Sequence, residues 1–169
     1  MPATTPTPHW LDADEMRAWV TYIDFSTLLG DYLNRQLKRD SGVTHADYTL
    51  LSRLSAAPDH AMGMSALAQH LKITRSRLTR AVSRLHDMGY VIRREDPTDG
   101  RGQRAVLTDQ GMELLERAAP GHVEAVRQVI FDALTTEQVK QLSEIGQVIY
   151  RALQHADGVS SVDLPWLRR

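Results

Sequence analysis

Apolar residues recur at helical spacing along most of the chain and alternate at strand spacing in only one region. Met16, Trp19, Val20, Ile23, Phe25, Leu28, Leu29, Tyr32, Leu33 and Leu37 sustain a helical period to about Arg39. Asp12 is the expected cap of this first helix, with Glu15 at the reciprocal position of a capping box, and Ser41-Gly42 stops it. Its apolar surface is wider than one small domain covers, so part of it is expected to face a second subunit. Thr44 with Asp47 opens a second helix whose stripe is Tyr48, Leu51, Leu54 and Ala57, ended by Pro58-Asp59-His60. A short third helix over residues 65–71 turns Leu67, Ala68 and Leu71 inward. Residues 62–64 add a short strand, and Lys72-Ile73 is the turn into a fourth helix.

In that fourth helix Leu78, Ala81, Val82, Leu85 and Met88 form one apolar stripe. The other side carries Ser76, Thr79, Arg80 and Ser83, flanked by Arg75, Arg77 and Arg84. Thr74 caps its start and Gly89 ends it in a left-handed turn. Residues 90–94 and 103–107 suit two paired strands, and residues 95–102 between them are rich in turn formers. Thr108 caps the next helix, which packs through Leu114, Leu115, Ala118 and Ala119 and continues with Val123, Val126, Ile130 and Leu134. Pro120-Gly121 is expected to kink or break it near Ala119. Thr135 opens a last helix with Gln138 as its capping-box partner and Val139, Leu142, Ile145, Ile149 and Leu153 as its stripe.

The order of elements predicts a mainly α chain with a small β wing. A winged helix-turn-helix lobe over residues 43–108 is joined to dimerisation helices over 12–40 and 109–157. The Pro- and Thr-rich residues 1–11 form a disordered arm. Residues 158–169 are an irregular tail whose Trp166 and Leu167 are apolar enough to dock on a partner.

Charge sharpens this picture only when it is resolved along the chain. The whole chain of 169 residues carries −1 from 20 basic and 21 acidic residues, which by itself points to no nucleic-acid partner. Residues 72–104 hold nine basic residues (Lys72, Arg75, Arg77, Arg80, Arg84, Arg93, Arg94, Arg101 and Arg104) against Asp87, Glu95, Asp96 and Asp99, a local +5. A basic patch on an otherwise acidic protein is the electrostatic footprint of a phosphate-backbone binder. Arginine predominates in it, and its fork suits phosphate and guanine better than lysine does.

Other chemistries find little support. There is no cysteine, which excludes disulfides, thiol redox sensing and a cysteine zinc site. No apolar run reaches membrane-spanning length and no basic-then-apolar leader opens the chain, so the expected location is the cytoplasm. None of the seven histidines stands four residues from another, carboxylates are scattered, and no glycine-rich phosphate loop follows a strand. His60 and His70 read as turn and surface residues rather than zinc ligands. An enzyme, a metal and a cofactor are all not expected.

The chain resembles the multiple-antibiotic-resistance regulator (MarR) family across roughly residues 12–155. The wing pattern carries most of the likeness: Asp99-Gly100-Arg101, then Gly102-Gln103-Arg104, Ala105, Val106, Leu107-Thr108 and Gly111. Ala105 stands where the pattern usually has a larger aliphatic, a departure expected to loosen the packing of the wing. Leu78-Thr79-Arg80-x-Val82-x-x-Leu85 matches the usual recognition helix. The resemblance implies a homodimer built by the terminal helices and two winged lobes on a pseudo-palindromic site. It also implies a small-molecule inducer bound between lobe and dimer region.

Roles follow from position as well. Ser76, Thr79 and Arg80 lie centrally on the exposed face, where base edges are reached, with Thr74, Arg75 and Arg77 at the N-terminal end and Ser83 and Arg84 further along. Arg84 is expected to meet phosphate. Arg101, at the hairpin tip between two glycines, suits a narrow minor groove, with Asp99 supporting its geometry and Arg104 adding a further DNA contact. At most one of Arg93 and Arg94 faces DNA, because alternate strand positions point opposite ways. Trp19, Tyr22 and Tyr48 are candidate residues for a pocket taking a small aromatic or anionic effector, against the plainer reading that they pack in a core or dimer interface. The expected function is a DNA-binding transcriptional regulator, a repressor, acting on double-stranded DNA as a homodimer. The alternatives are a winged-helix module whose basic face meets an acidic protein, and an architectural DNA binder without sequence preference.

Overall fold

The computed structural model describes residues 8–96 and 99–156, without the side chains of residues 99–101 and 156. Helix α1 (Ala13–Ser41) begins at the predicted capping box, with the Asp12 carboxylate accepting from the Asp14 and Glu15 amides, and ends at Gly42 with φ 73°. Helix α2 (His45–Ser55) starts on the Thr44–Asp47 box. A single 3-10 turn (Pro58–His60) leads to strand β1 (Ala61–Gly63), one residue earlier than the sequence suggests, and to α3 (Met64–Leu71). Lys72 turns the chain into α4 (Arg75–Asp87) with φ 54°, a left-handed conformation that usually falls to glycine.

Strands β2 (Val91–Asp96) and β3 (Asp99–Leu107) form the wing. Both are longer than expected, because ladder pairing extends from Val91–Leu107 to Glu95–Gln103 and resumes at Asp96–Asp99 after an irregularity. Most of the residues that read as turn formers are therefore strand. β3 is central in an antiparallel sheet of order β1-β3-β2, with Ala61 opposite Val106. Ala105 is fully buried in the lobe core, so the shorter side chain leaves no opening to solvent there.

The break expected at Pro120 does not occur. Helix α5 (Asp109–Val129) runs unbroken through Pro120. The proline removes one backbone bond to the carbonyl four residues back, but α5 lies along α1 and is held there. The Tyr32 hydroxyl donates to Gln128 Oε1 at 3.1 Å, and at Gly121 an added Cβ would lie 3.5 Å from Gln36 Nε2. Before the proline Leu114 and Leu115 are buried in the lobe core, so tertiary contact on both sides overrides its local preference. A second 3-10 turn (Phe131–Ala133) precedes α6 (Thr136–Ala156), whose start is closed by the predicted Thr135–Gln138 box.

The core sits in the lobe. Val43, Leu50, Leu51, Leu54, Leu67, Leu78, Val82, Leu85 and Val91 are buried together with Leu107, Leu114 and Leu115. The wing is fastened to α5 at its root. Thr108 Oγ1 donates to the Gly89 carbonyl at 2.7 Å and accepts from the Gly111 amide at 3.0 Å. A Cβ at Gly111 would lie 2.4 Å from the Tyr90 carbonyl oxygen, so no side chain fits there. Trp166 and Leu167 lie outside the described residues. Among the described residues, no helix is long and apolar enough to cross a membrane.

Candidate nucleic-acid interface

Helix α4 is amphipathic by construction. Leu78, Val82 and Leu85 are fully buried, and the side chains of Thr74, Arg75, Ser76, Arg77, Thr79, Arg80, Ser83 and Arg84 are exposed. The predicted face therefore exists as one continuous surface of hydroxyls and guanidinium groups. Its N-terminal end is ordered by Thr74, which accepts from the Arg77 amide at 3.3 Å and lies 3.2 Å from the Ser76 hydroxyl. Thr79 Oγ1 donates to the Arg75 carbonyl at 2.9 Å. Its proton is engaged, so toward a ligand Thr79 offers only acceptor lone pairs and a methyl group. That suits an amino group of adenine or cytosine, or the methyl of thymine.

The basic residues separate into free and anchored. Arg75, Arg77 and Arg80 stand exposed on α4. Arg84 forms an ion pair with Asp47 of α2, whose side chain is 4% exposed. Arg93 crosses from β2 to donate to the Thr79 carbonyl at 3.2 Å, with its Nε buried, which fixes the wing against α4. Arg104, opposite Arg94 in the ladder, donates to the Ala61 carbonyl at 3.3 Å and ties β3 to β1. Arg101 and its predicted support Asp99 fall on the first residues of β3, and their side chains lie outside the described residues.

Between α4 and the wing lies a polar cleft of about 290 Å³, with Arg75, Thr79, Arg93 and Gln103 among its lining residues. It is continuous in composition with the arginine face and presents donors to an anion.

The three candidate effector aromatics fall into two groups. Trp19 and Tyr22 stack at 6.4 Å on α1, and Tyr22 meets Phe25 edge-on at 5.5 Å, all three about half exposed. Tyr48 instead packs on His122 of α5 at 4.5 Å, and His122 lies 5.6 Å from His45. Sequence reasoning missed this grouping, since nothing local marks His45 and His122 as neighbours. Burial pushes the Tyr48 phenol up and both imidazoles down, with His45 adding to the depression at His122. His122 Nδ1 is buried without a hydrogen-bond partner. Among the described residues, no group of three or more histidines and carboxylates is close enough to hold a metal ion.

Comparison with known proteins agrees with this geometry. The family model described as "MarR family" matches residues 41–102. The HTH-type transcriptional regulator PrsX of Escherichia coli is 30% identical over 71% of this chain and 70% of its own length. The transcriptional repressor MprA of Escherichia coli K12 is 29% identical over 75% of this chain and 72% of its own. Among solved structures, Sco3205 of Streptomyces coelicolor, a MarR family transcriptional regulator crystallised in complex with DNA, is 51% identical. It aligns over 97% of this chain and 100% of its own with a TM-score of 0.85. The likeness thus spans the terminal helices as well as the winged lobe, and the chain belongs to the MarR family of transcriptional regulators.

Proposed function

We propose that this regulator is a repressor that binds a pseudo-palindromic operator in double-stranded DNA as a homodimer and leaves it when a small aromatic or anionic effector binds. The α4 surface carries the reading: eight exposed hydroxyl and guanidinium side chains lie opposite a fully buried apolar stripe. A helix of that build enters the major groove with its N-terminal half against base edges. Ser76, Thr79 and Arg80 are placed to read bases, with Arg75, Arg77 and Ser83 around them. Arg101, backed by Asp99, reaches the minor groove from the wing. Arg104, held by β1, stiffens the wing root rather than reaching far into DNA. Similarity to a relative crystallised on DNA, and to one named as a repressor, supports the assignment.

Dimerisation follows from the apolar sides of the terminal helices. A cleft of about 350 Å³ between α1 and the end of α5 is lined by Phe25, Leu28, Leu29, Val129 and Ile130, and a second copy is its occupant. Trp19 and Tyr22 belong with that face. Tyr48, beside His45 and His122 between α2 and α5, remains the candidate for effector contact.

Arg80→Ala separates reading from clinging. Loss of a base contact in each half-site is expected to cost about 1–3 kcal/mol on the selected operator and far less on a scrambled duplex of equal length. The measurement is a paired binding titration. Equal losses on both duplexes would make Arg80 a phosphate contact and remove this placement of α4.

A further inference from the structure

The pair between α2 and α4 has a consequence for how the protein grips DNA. Asp47 is buried, and its carboxylate is occupied on both oxygens. Oδ2 accepts from the Thr44 amide at 3.3 Å and the Thr44 hydroxyl at 2.6 Å, while Oδ1 accepts from Nη2 of Arg84, 37 residues away in sequence. The carboxylate also sits in the first turn of α2, where the helix dipole favours a negative charge. It is therefore a fixed point.

Arg84 is held by this pair on one side only. Its side chain is 50% exposed, and a guanidinium has five N–H donors, of which Asp47 engages one edge. Arg84 lies one helical turn beyond Arg80, on the same exposed side of α4.

Resting on the DNA-binding reading above, we propose that Asp47 is a positioning residue for DNA recognition. It holds one edge of the Arg84 guanidinium so that the other edge meets a backbone phosphate. An unheld arginine loses its rotamer freedom when it binds phosphate. Arg84 has already lost that freedom on folding, so its contact forms without the usual ordering penalty. The same pair locks α4 to α2, which sets the angle at which the reading face meets the groove. Asp47 itself never touches DNA.

The test uses the full-length protein, a selected operator duplex and a scrambled duplex, with affinities measured across a salt series and melting temperature measured alongside. Asp47→Asn keeps an acceptor for the cap and removes the charge that holds Arg84. It should weaken binding to both duplexes about tenfold and make the salt slope shallower by about one unit per lobe. Arg84→Gln should do the same, and the double variant should be no weaker than either single one. Arg84→Lys should also fail, because a single ammonium cannot hold a carboxylate and a phosphate on separate edges. Tighter or unchanged binding by Asp47→Asn, an unchanged slope in Arg84→Gln, or additive losses in the double variant would overturn the proposal. Should Asp47→Asn not fold, Arg84→Lys decides alone: native affinity and slope refute the role, and the loss supports it. Failure of the unaltered protein to bind either duplex would instead bring down the DNA reading itself.

Discussion

In the winged lobe Leu50, Leu51, Leu54, Leu67, Leu78 and Leu85 are no more than 1% exposed, whereas on α1 and α6 Leu28 is 68%, Trp19 54%, Val148 65% and Leu153 57% exposed. Both regions are written with the same helical periodicity. The lobe closes its stripes on one another through three helices, the sheet and the start of α5. Among the described residues, α6 and the N-terminal half of α1 have no such opposite layer: α1 buries only Leu33, Gln36 and Leu37, all in its C-terminal half, where α5 and the lobe lie against it. Periodicity therefore says that a face wants cover, and only packing says whether the same chain supplies it. An apolar face of this extent is rare on a monomer, which is why a second copy is proposed to cover it.

The largest effect should come from charging the open face. Placing Asp at both Ile145 and Ile149 buries two unpaired carboxylates from each subunit in the proposed dimer seam. The dimer dissociation constant should rise by about a thousandfold or more, equivalent to roughly 4 kcal/mol. Sedimentation at micromolar concentration reads it, and an unchanged dimer would mean that α6 lies outside the interface.

A truncation inside the lobe should behave differently. Leu78→Ala empties part of a sealed core and should cost about 2–5 kcal/mol in urea unfolding, independent of protein concentration. Ile145→Ala should show its loss chiefly as a concentration-dependent midpoint, because its packing partner is proposed to be another chain. If both midpoints respond to concentration alike, the lobe is not the self-contained unit described here.

The seam between the two regions gives the smallest effect. His45 and His122 are held below the ordinary histidine value by burial, and at His122 also by His45. The unfolded chain then binds protons that the folded chain refuses. This contribution to stability is complete above about pH 6.5 and is lost as pH falls from there through the folded pKa values. His122→Gln should flatten the melting-temperature profile between about pH 7 and 5.5, by roughly a few degrees relative to the unaltered protein. Parallel profiles would show that the pair is not what senses the proton.

Local chemistry was legible in the sequence and distant partnership was not. The boxes at Asp12 and Glu15, Thr44 and Asp47, and Thr135 and Gln138 each close over three residues, and all three form as read. The reading face of α4 was legible for the same reason, since its spacing is intrinsic to one helix. The break expected at Pro120 does not form because the support for α5 comes from α1, about ninety positions earlier. Of the turn formers after the tip, Asp99 pairs with Asp96, and residues 100–102 fall in the irregularity between that pair and Glu95–Gln103. Asp47 was recognised as a cap, but its bond to Arg84 depends on how α2 and α4 cross. The same limit applies to Tyr48, which meets His122 rather than Trp19 and Tyr22.

Gly111 turns the wing into a lever. With no side chain between the first turn of α5 and the Tyr90 backbone, nothing compressible lies at that joint, and α5 and the wing root move as one piece. The nine residues of β3 form an arm of about 30 Å. Over an arm of that length, a tilt of about 5° in α5 carries the wing tip by roughly 2–3 Å. In the proposed dimer α5 also borders the cleft filled by the second copy. A rotation at that seam too small to disturb its packing would then be magnified at Arg101, by about the amount that separates a hydrogen-bonded arginine from one out of reach.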